Sequence, residues 1–356
     1  MRKLIVMTVA LGVAAGACSS GGASTATKPP AAKAKTVSDP AKVAAAPSAG
    51  CADASYTAGE TKQTLAVDGA ERWWYRHVPL STDGSAKIRP TPLVMDLHGY
   101  SEGADVHRQM SGLGAFGDAH GFVTVIPQGQ GPVARWDTTL GGKDLTFLGK
   151  VLDATERQLC IDTNRVYVTG LSNGAFMTSA MACQYSNRIA AVAPVAGVRN
   201  IKGCKPTRPV PIVAFHGTAD GFVSYDGGLG QKALDLPAPD GSGKKLRDTL
   251  TPAQINAQRN PNDSIPNIMG AWAKRNGCKG GDTETPVTAD VTKLTWTCPP
   301  SGATELYRVT GGGHAWPGSS FSAAVESVVG HTTMSISADE IMWKFFVAHP
   351  LTRSGS

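Results

Sequence analysis

The stretch Gly170-Leu171-Ser172-Asn173-Gly174 sets a serine between two glycines, each two positions away. A serine hydroxyl is a weak nucleophile at neutral pH and attacks a carbonyl only when a positioned base takes its proton. Acyl transfer through Ser172 therefore needs a histidine, an acid to orient that histidine, and two amide donors for the developing oxyanion. The chain has eight histidines, and His314 has the most shaped setting, Thr310-Gly311-Gly312-Gly313-His314-Ala315-Trp316-Pro317-Gly318. When the serine sits on a strand-to-helix turn, the chain order is serine, acid, histidine. Asp220, closing His216-Gly217-Thr218-Ala219-Asp220, meets that order, with Asp226 and Asp263 as competitors. The expected oxyanion donors are the N–H of Asn173, directly after the serine, and the N–H of Tyr100 in His98-Gly99-Tyr100. His98 is expected to brace that loop rather than act as a base. Trp136 and Trp316 are candidates for substrate-binding positions lining an acyl or aromatic pocket. Clustered metal ligands are not expected, so the reading includes no metal and no cofactor.

This chemistry requires a strand before Ser172 and a helix after it. Residues 165–169 are β-branched and aromatic and predict a buried strand; residues 175–182, rich in Ala and Met, predict a helix. That context separates a nucleophile elbow from a plain Ser-Asn-Gly turn. Further strands are predicted over 72–79, 92–98, 121–127, 189–196, 210–216 and 305–309, and helices over 147–159, 268–276 and 338–349. Short continuous apolar runs alternating with helices predict an α/β architecture: a mostly parallel sheet flanked by helices on both faces. Loops at the carboxyl ends of such strands are where catalytic groups gather, and the segments carrying Asp220 and His314 follow two of them. Residues 226–264, rich in Gly, Pro and Asp, read as a long insertion near the acid loop.

The formal net charge is +6, but residues 1–50 carry most of it. The remainder is nearly neutral, which gives no electrostatic case for nucleic acid. Met1-Arg2-Lys3 followed by an apolar run to Gly16 predicts an export signal over residues 1–17. Ala15-Gly16-Ala17-Cys18 resembles a bacterial lipobox, which would make Cys18 the lipidated N-terminus and anchor the protein at the membrane; plain secretion is the alternative. Residues 18–50 lack aromatic residues, Leu and Ile and predict a flexible tether before a catalytic domain over 51–356. Beyond Cys18 there are six cysteines, and export suggests disulfides. Cys278 with Cys298 is the first expected pair, flanking a polar excursion, and Cys183 with Cys204 the second.

Four segments together resemble one family: Leu97-His98-Gly99, Gly170-Leu171-Ser172-Asn173-Gly174, His216-Gly217-Thr218-Ala219-Asp220 and Gly313-His314-Ala315-Trp316-Pro317-Gly318. They are similar to extracellular polyhydroxybutyrate depolymerases, feruloyl esterases and acetylxylan esterases, which have the α/β-hydrolase fold. The resemblance covers roughly residues 65–348. It implies Ser172, Asp220 and His314 as a triad and an exported serine esterase acting on an ester of a polymer. The chain departs from the family at Ala175, where a second glycine is frequent, and at Tyr100, where depolymerases often have Cys. The ester class stays open between polyester and hydroxycinnamoyl or acetyl esters. Two other readings use the same fold: a cell-envelope acyltransferase, and a non-catalytic envelope-binding lipoprotein.

Overall fold

The computed structural model describes residues 43–52, 56–79, 89–257 and 260–352. The expected export signal, Cys18 and the tether up to residue 42 lie outside the described residues. In chain order the elements are β1 (Gly59–Val67), β2 (Ala70–Val78), β3 (Thr91–Leu97), α1 (Gly103–Ser111), α2 (Leu113–His120), β4 (Val123–Pro127), α3 (Lys143–Gln158), β5 (Ile161–Leu171) and α4 (Asn173–Gln184). There follow β6 (Ala191–Val195), β7 (Ile212–Gly217), α5 (Leu246–Thr249), α6 (Pro252–Ala257), α7 (Ile265–Arg275), β8 (Lys279–Pro286), β9 (Val291–Thr297), β10 (Thr304–Val309), α8 (Ser320–Ala324), α9 (Glu326–Val329) and α10 (Ala338–Ala348).

The strands form one ten-stranded sheet in the order β1-β2-β4-β3-β5-β6-β7-β10-β9-β8. Pairing is parallel from β4 through β3, β5, β6 and β7 to β10, and antiparallel at both flanks. This is the α/β-hydrolase fold. The central strands are apolar throughout because both of their faces are covered. In β5, Val166 and Val168 enter one core with Met177, Ala180 and Met181 of α4 and Phe147 and Val151 of α3. Tyr167 and Leu171 point the other way, into a second core with Met110 of α1 and Phe345 and Phe346 of α10.

Among the described residues, three disulfides tie the domain together. Cys278–Cys298 closes the β8–β9 hairpin, Cys183–Cys204 ties the end of α4 to a loop, and Cys51–Cys160 joins the N-terminal segment to the start of β5. One boundary differs from expectation. The last residues of the predicted tether are bound to the domain: Ala46 N–H donates to Asp162 Oδ1 at 2.9 Å and Ser48 Oγ–H to the Leu159 carbonyl at 2.8 Å. Composition missed this because the attachment is made by backbone and small polar groups, not by apolar side chains. Among the described residues, no helix is long and apolar enough to cross a membrane.

Candidate active site

β5 ends at Leu171 and α4 begins at Asn173, so the chain reverses at Ser172 alone. Ser172 has φ 57° and ψ −115°, a strained conformation for a residue with a side chain. Two bonds hold it there: Ser172 N–H to the Val195 carbonyl at 2.9 Å, and Phe176 N–H to the Ser172 carbonyl at 3.0 Å. Both flanking glycines are required by close approach to the end of β3. A Cβ at Gly174 would lie 2.0 Å from the Leu97 carbonyl oxygen, and one at Gly170 would lie 2.6 Å from it.

Asp220 and His314 lie on loops leaving β7 and β10, which are adjacent and parallel. Thr218 N–H to Val309 O and Ala219 N–H to Gly312 O, both 2.9 Å, zip the two loops together. His314 Nδ1–H donates to Asp220 Oδ2 at 2.7 Å, and both residues are buried. Asp220 Oδ1 accepts the N–H groups of Phe222 and Val223 at 2.8 and 2.9 Å. The residue thus acts as a turn former through one oxygen and orients an imidazole through the other. Burial pushes its carboxyl up, but His314, His216 and the Val223 N–H outweigh it and hold the group below the usual range. His216, 3.4 Å from Oδ2, donates Nε2–H to the Val223 carbonyl, and burial lowers its pKa, which keeps it neutral. The competitors Asp226 and Asp263 make no contact with His314 among the described residues and instead line neighbouring clefts. The Ser172 hydroxyl makes no hydrogen bond among the described residues. Catalytic hydrogen bonds of this kind commonly tighten only once substrate is in place.

On the opposite side of Ser172 runs the loop after β3. A Cβ on Gly99 would lie 3.6 Å from Ser172 Cβ, so this backbone borders the serine. Glu102 Oε2 accepts the Gly99 N–H at 2.6 Å. The Tyr100 N–H has no acceptor among the described residues, and Asn173, first residue of α4, has none within its helix. His98 braces the loop as expected. Its Nδ1–H donates to the Gly99 carbonyl at 2.7 Å and its Nε2 accepts the Gly129 N–H at 2.8 Å. Burial lowers its pKa to about 4, so it stays neutral and is no base.

The two tryptophans differ from expectation. Trp136 and Trp316 are 3% and 1% exposed, which leaves almost no ring surface open to a ligand. Trp136 Nε1–H donates to the His98 carbonyl at 2.9 Å, while its own N–H and carbonyl are bound by the Asn173 side chain at 2.7 and 3.2 Å. Trp316 packs in the second core with its indole N–H on Asp339 Oδ1 at 2.9 Å. Both are supports under the loops because a tryptophan can bury its ring fully once its N–H has a partner.

Sequence reasoning missed a buried cluster beneath the Gly99 turn. His107 Nε2 lies 2.7 Å from Asp96 Oδ1 and its Nδ1 3.2 Å from Glu102 Oε1, all well buried. Burial pushes His107 down, but the two carboxylates lift it to about 10, so it is a cation held between anions. One available signal was Asp96, a charge inside the apolar run of β3, which must have a partner when buried. His107 carries its proton more tightly in the fold than in the unfolded chain. Its stabilisation is therefore complete below about pH 6.5 and lost as pH rises toward about 10. Urea unfolding between these limits should show falling stability, with a shallower fall in Glu102→Gln, where one carboxylate holding the proton is gone. An equal fall in both proteins would contradict this assignment.

The insertion touches the loop after β3. Tyr100 Oη–H donates to the Pro237 carbonyl at 2.8 Å, joining it to the Gly99 loop. One cleft of about 440 Å³ runs along Asp220, Ser224, Asp226 and Gln231, and another of about 250 Å³ lies between α4 and the acid loop.

Residues 78–204 match the family described as Esterase PHB depolymerase. The bifunctional acetylxylan esterase/xylanase XynS20E of Neocallimastix patriciarum is 32% identical over 179 residues, 50% of this chain and 25% of that protein. Feruloyl esterase D of Neurospora crassa is 30% identical over 194 residues, 52% of this chain and 66% of that protein. Poly(3-hydroxyalkanoate) depolymerase C of Paucimonas lemoignei is 37% identical over 132 residues, 35% of this chain and 30% of that protein. The chain spans less than two thirds of the length of each of these relatives.

Proposed function

We propose that this chain, whose residues 78–204 match the family described as Esterase PHB depolymerase, is an exported serine esterase hydrolysing carboxylic esters through an acyl-enzyme on Ser172. The observation that carries the reading is the strained Ser172 at the β5–α4 turn, on a sheet whose adjacent β7 and β10 present an assembled Asp220–His314 pair. His314 takes the Ser172 proton as the oxygen attacks the ester carbonyl. Asp220 fixes the Nδ1–H tautomer and stabilises the imidazolium. The oxyanion forms between the N–H groups of Asn173 and Tyr100. His314 then protonates the departing alcohol and activates the water that cleaves the acyl-enzyme.

The acyl or alcohol part comes from an ester of polyester, hydroxycinnamoyl or acetyl type. Lipid on Cys18 would hold the domain at the outer face of the membrane. A fluorophosphonate probe applied to expressing cells tests both parts. Labelling should map to the peptide containing Ser172, in the membrane fraction for the parent protein and in the medium for Cys18→Ser. An unlabelled protein would favour a non-catalytic binding role, and a labelled protein released equally from both strains would refute the anchor.

A further inference from the structure

The 250 Å³ cleft between α4 and the acid loop takes no part in the steps above. Its walls include Phe176, Val198, Val223, Leu229 and Ile268. Phe176 stands one helical turn beyond Ser172, and Val223 donates its N–H to Asp220. Gly197 forms the bridge, since a Cβ there would lie 3.0 Å from both the Ser172 carbonyl oxygen and Phe176 Cε1. A cleft with an apolar side, faced by the polar groups Arg199, Asn200 and Asp263, thus opens between the nucleophile's helix and the turn of its acid.

One cation, Arg199, belongs to this cleft. Its guanidinium lies over the Phe176 ring, 4.0 Å from the centroid. Its backbone is pinned on both sides: N–H to Ser179 Oγ at 3.2 Å, and carbonyl from Trp272 Nε1–H at 3.3 Å. Two other arginines of the fold spend their donors on carboxylates, Arg72 on Asp144 and Arg188 on Asp153 and Glu156. Among the described residues the Arg199 guanidinium makes no hydrogen bond and no ion pair. Asp263, on the same cleft, forms no ion pair with it, although its charge acts on the guanidinium from a distance. A planar donor fork held on an aromatic ring with its N–H groups unspent is suited to a carboxyl oxygen arriving from solvent.

We propose that this cleft is an acyl-side subsite, in which the apolar walls take the methylene chain and Arg199 binds an oxygen of a second carboxyl group, free or esterified, at the far end of that chain. The inference rests on the serine-esterase reading and names its substrate class: esters of dicarboxylic or otherwise carboxyl-bearing acids over plain alkanoates.

The test compares kcat/KM for p-nitrophenyl butyrate, mono-p-nitrophenyl glutarate and the methyl ester of the latter, in the parent protein, Arg199→Ala and Arg199→Lys. The ratio of either glutarate ester to butyrate should fall about tenfold or more in Arg199→Ala, the scale of a lost charged hydrogen bond. Lys, which keeps charge and stem but not the fork, should recover part of it. The free-acid and methyl-ester arms separate carboxylate from ester carbonyl as the oxygen bound. Ratios that do not move in either variant would overturn the subsite while leaving the esterase reading intact. Should the parent protein cleave none of the three, the esterase reading falls, and calorimetry decides the subsite separately. Glutarate and monomethyl glutarate should bind Ser172→Ala and bind Ser172→Ala/Arg199→Ala at least about tenfold more weakly. Equal binding, or binding to neither, would refute it.

Discussion

Ser172→Ala is expected to lower kcat on p-nitrophenyl butyrate by about 10⁶-fold while the protein stays folded, the scale seen when a triad nucleophile is removed from a serine hydrolase. The substitution deletes one oxygen that holds no hydrogen bond among the described residues. Alanine keeps the Cβ, so the backbone at φ 57° is no more strained than before. Stability should therefore move by no more than about 0.5 kcal/mol. Residual turnover, if measurable, would come from the oxyanion donors and substrate binding alone. Parallel measurements of kcat and of the thermal midpoint check both halves. Turnover within tenfold of the parent would remove Ser172 from the mechanism.

Asp220→Asn should lower kcat by about 10⁴-fold. The present carboxylate accepts from Phe222 and Val223 N–H on Oδ1 and from His314 on Oδ2. An asparagine can keep only one of these faces as an acceptor. If its oxygen stays with the two backbone donors, its NH₂ meets Nδ1 of His314 and selects the tautomer whose proton sits on Nε2, the nitrogen that must be free to take the serine proton. The loss should thus appear in kcat, with KM little changed. Asp226→Asn and Asp263→Asn provide the comparison, since neither aspartate touches His314. A loss of similar size from either would transfer the role away from Asp220.

Much of this site is legible in the chain. Ser172 stands out because strand pattern, paired glycines and helix pattern agree at one place. His314 and Asp220 stand out because each ends an apolar run on a glycine-bearing loop. Trp136 and Trp316 show the limit: residue type says that a large amphipathic ring needs burial and a partner for its N–H, not whether its face meets substrate or core. The pairing of Asp96, Glu102 and His107 was equally hidden. These residues come from a strand end, a loop and a helix, and their partnership exists only once α1 folds back beneath the Gly99 turn. Arg199 left no pattern in the chain, because its place depends on Phe176, Ser179 and Trp272 converging from α4 and α7.

The sequence by itself determined the fold class, the turn that strains Ser172 and two of the disulfide pairs. Each of these follows from short-range rules, such as side-chain periodicity and glycine where backbones crowd. Tertiary structure alone decided that His107 sits between Asp96 and Glu102, that Trp136 and Trp316 are buried supports, and that the expected Asp220 meets His314. Asp220 and His314 are 94 residues apart and meet because β7 lies beside β10. Strands buried on both faces carry nearly the same apolar pattern, so the local pattern does not say which one packs against which. That neighbour relation is settled only when the whole sheet assembles.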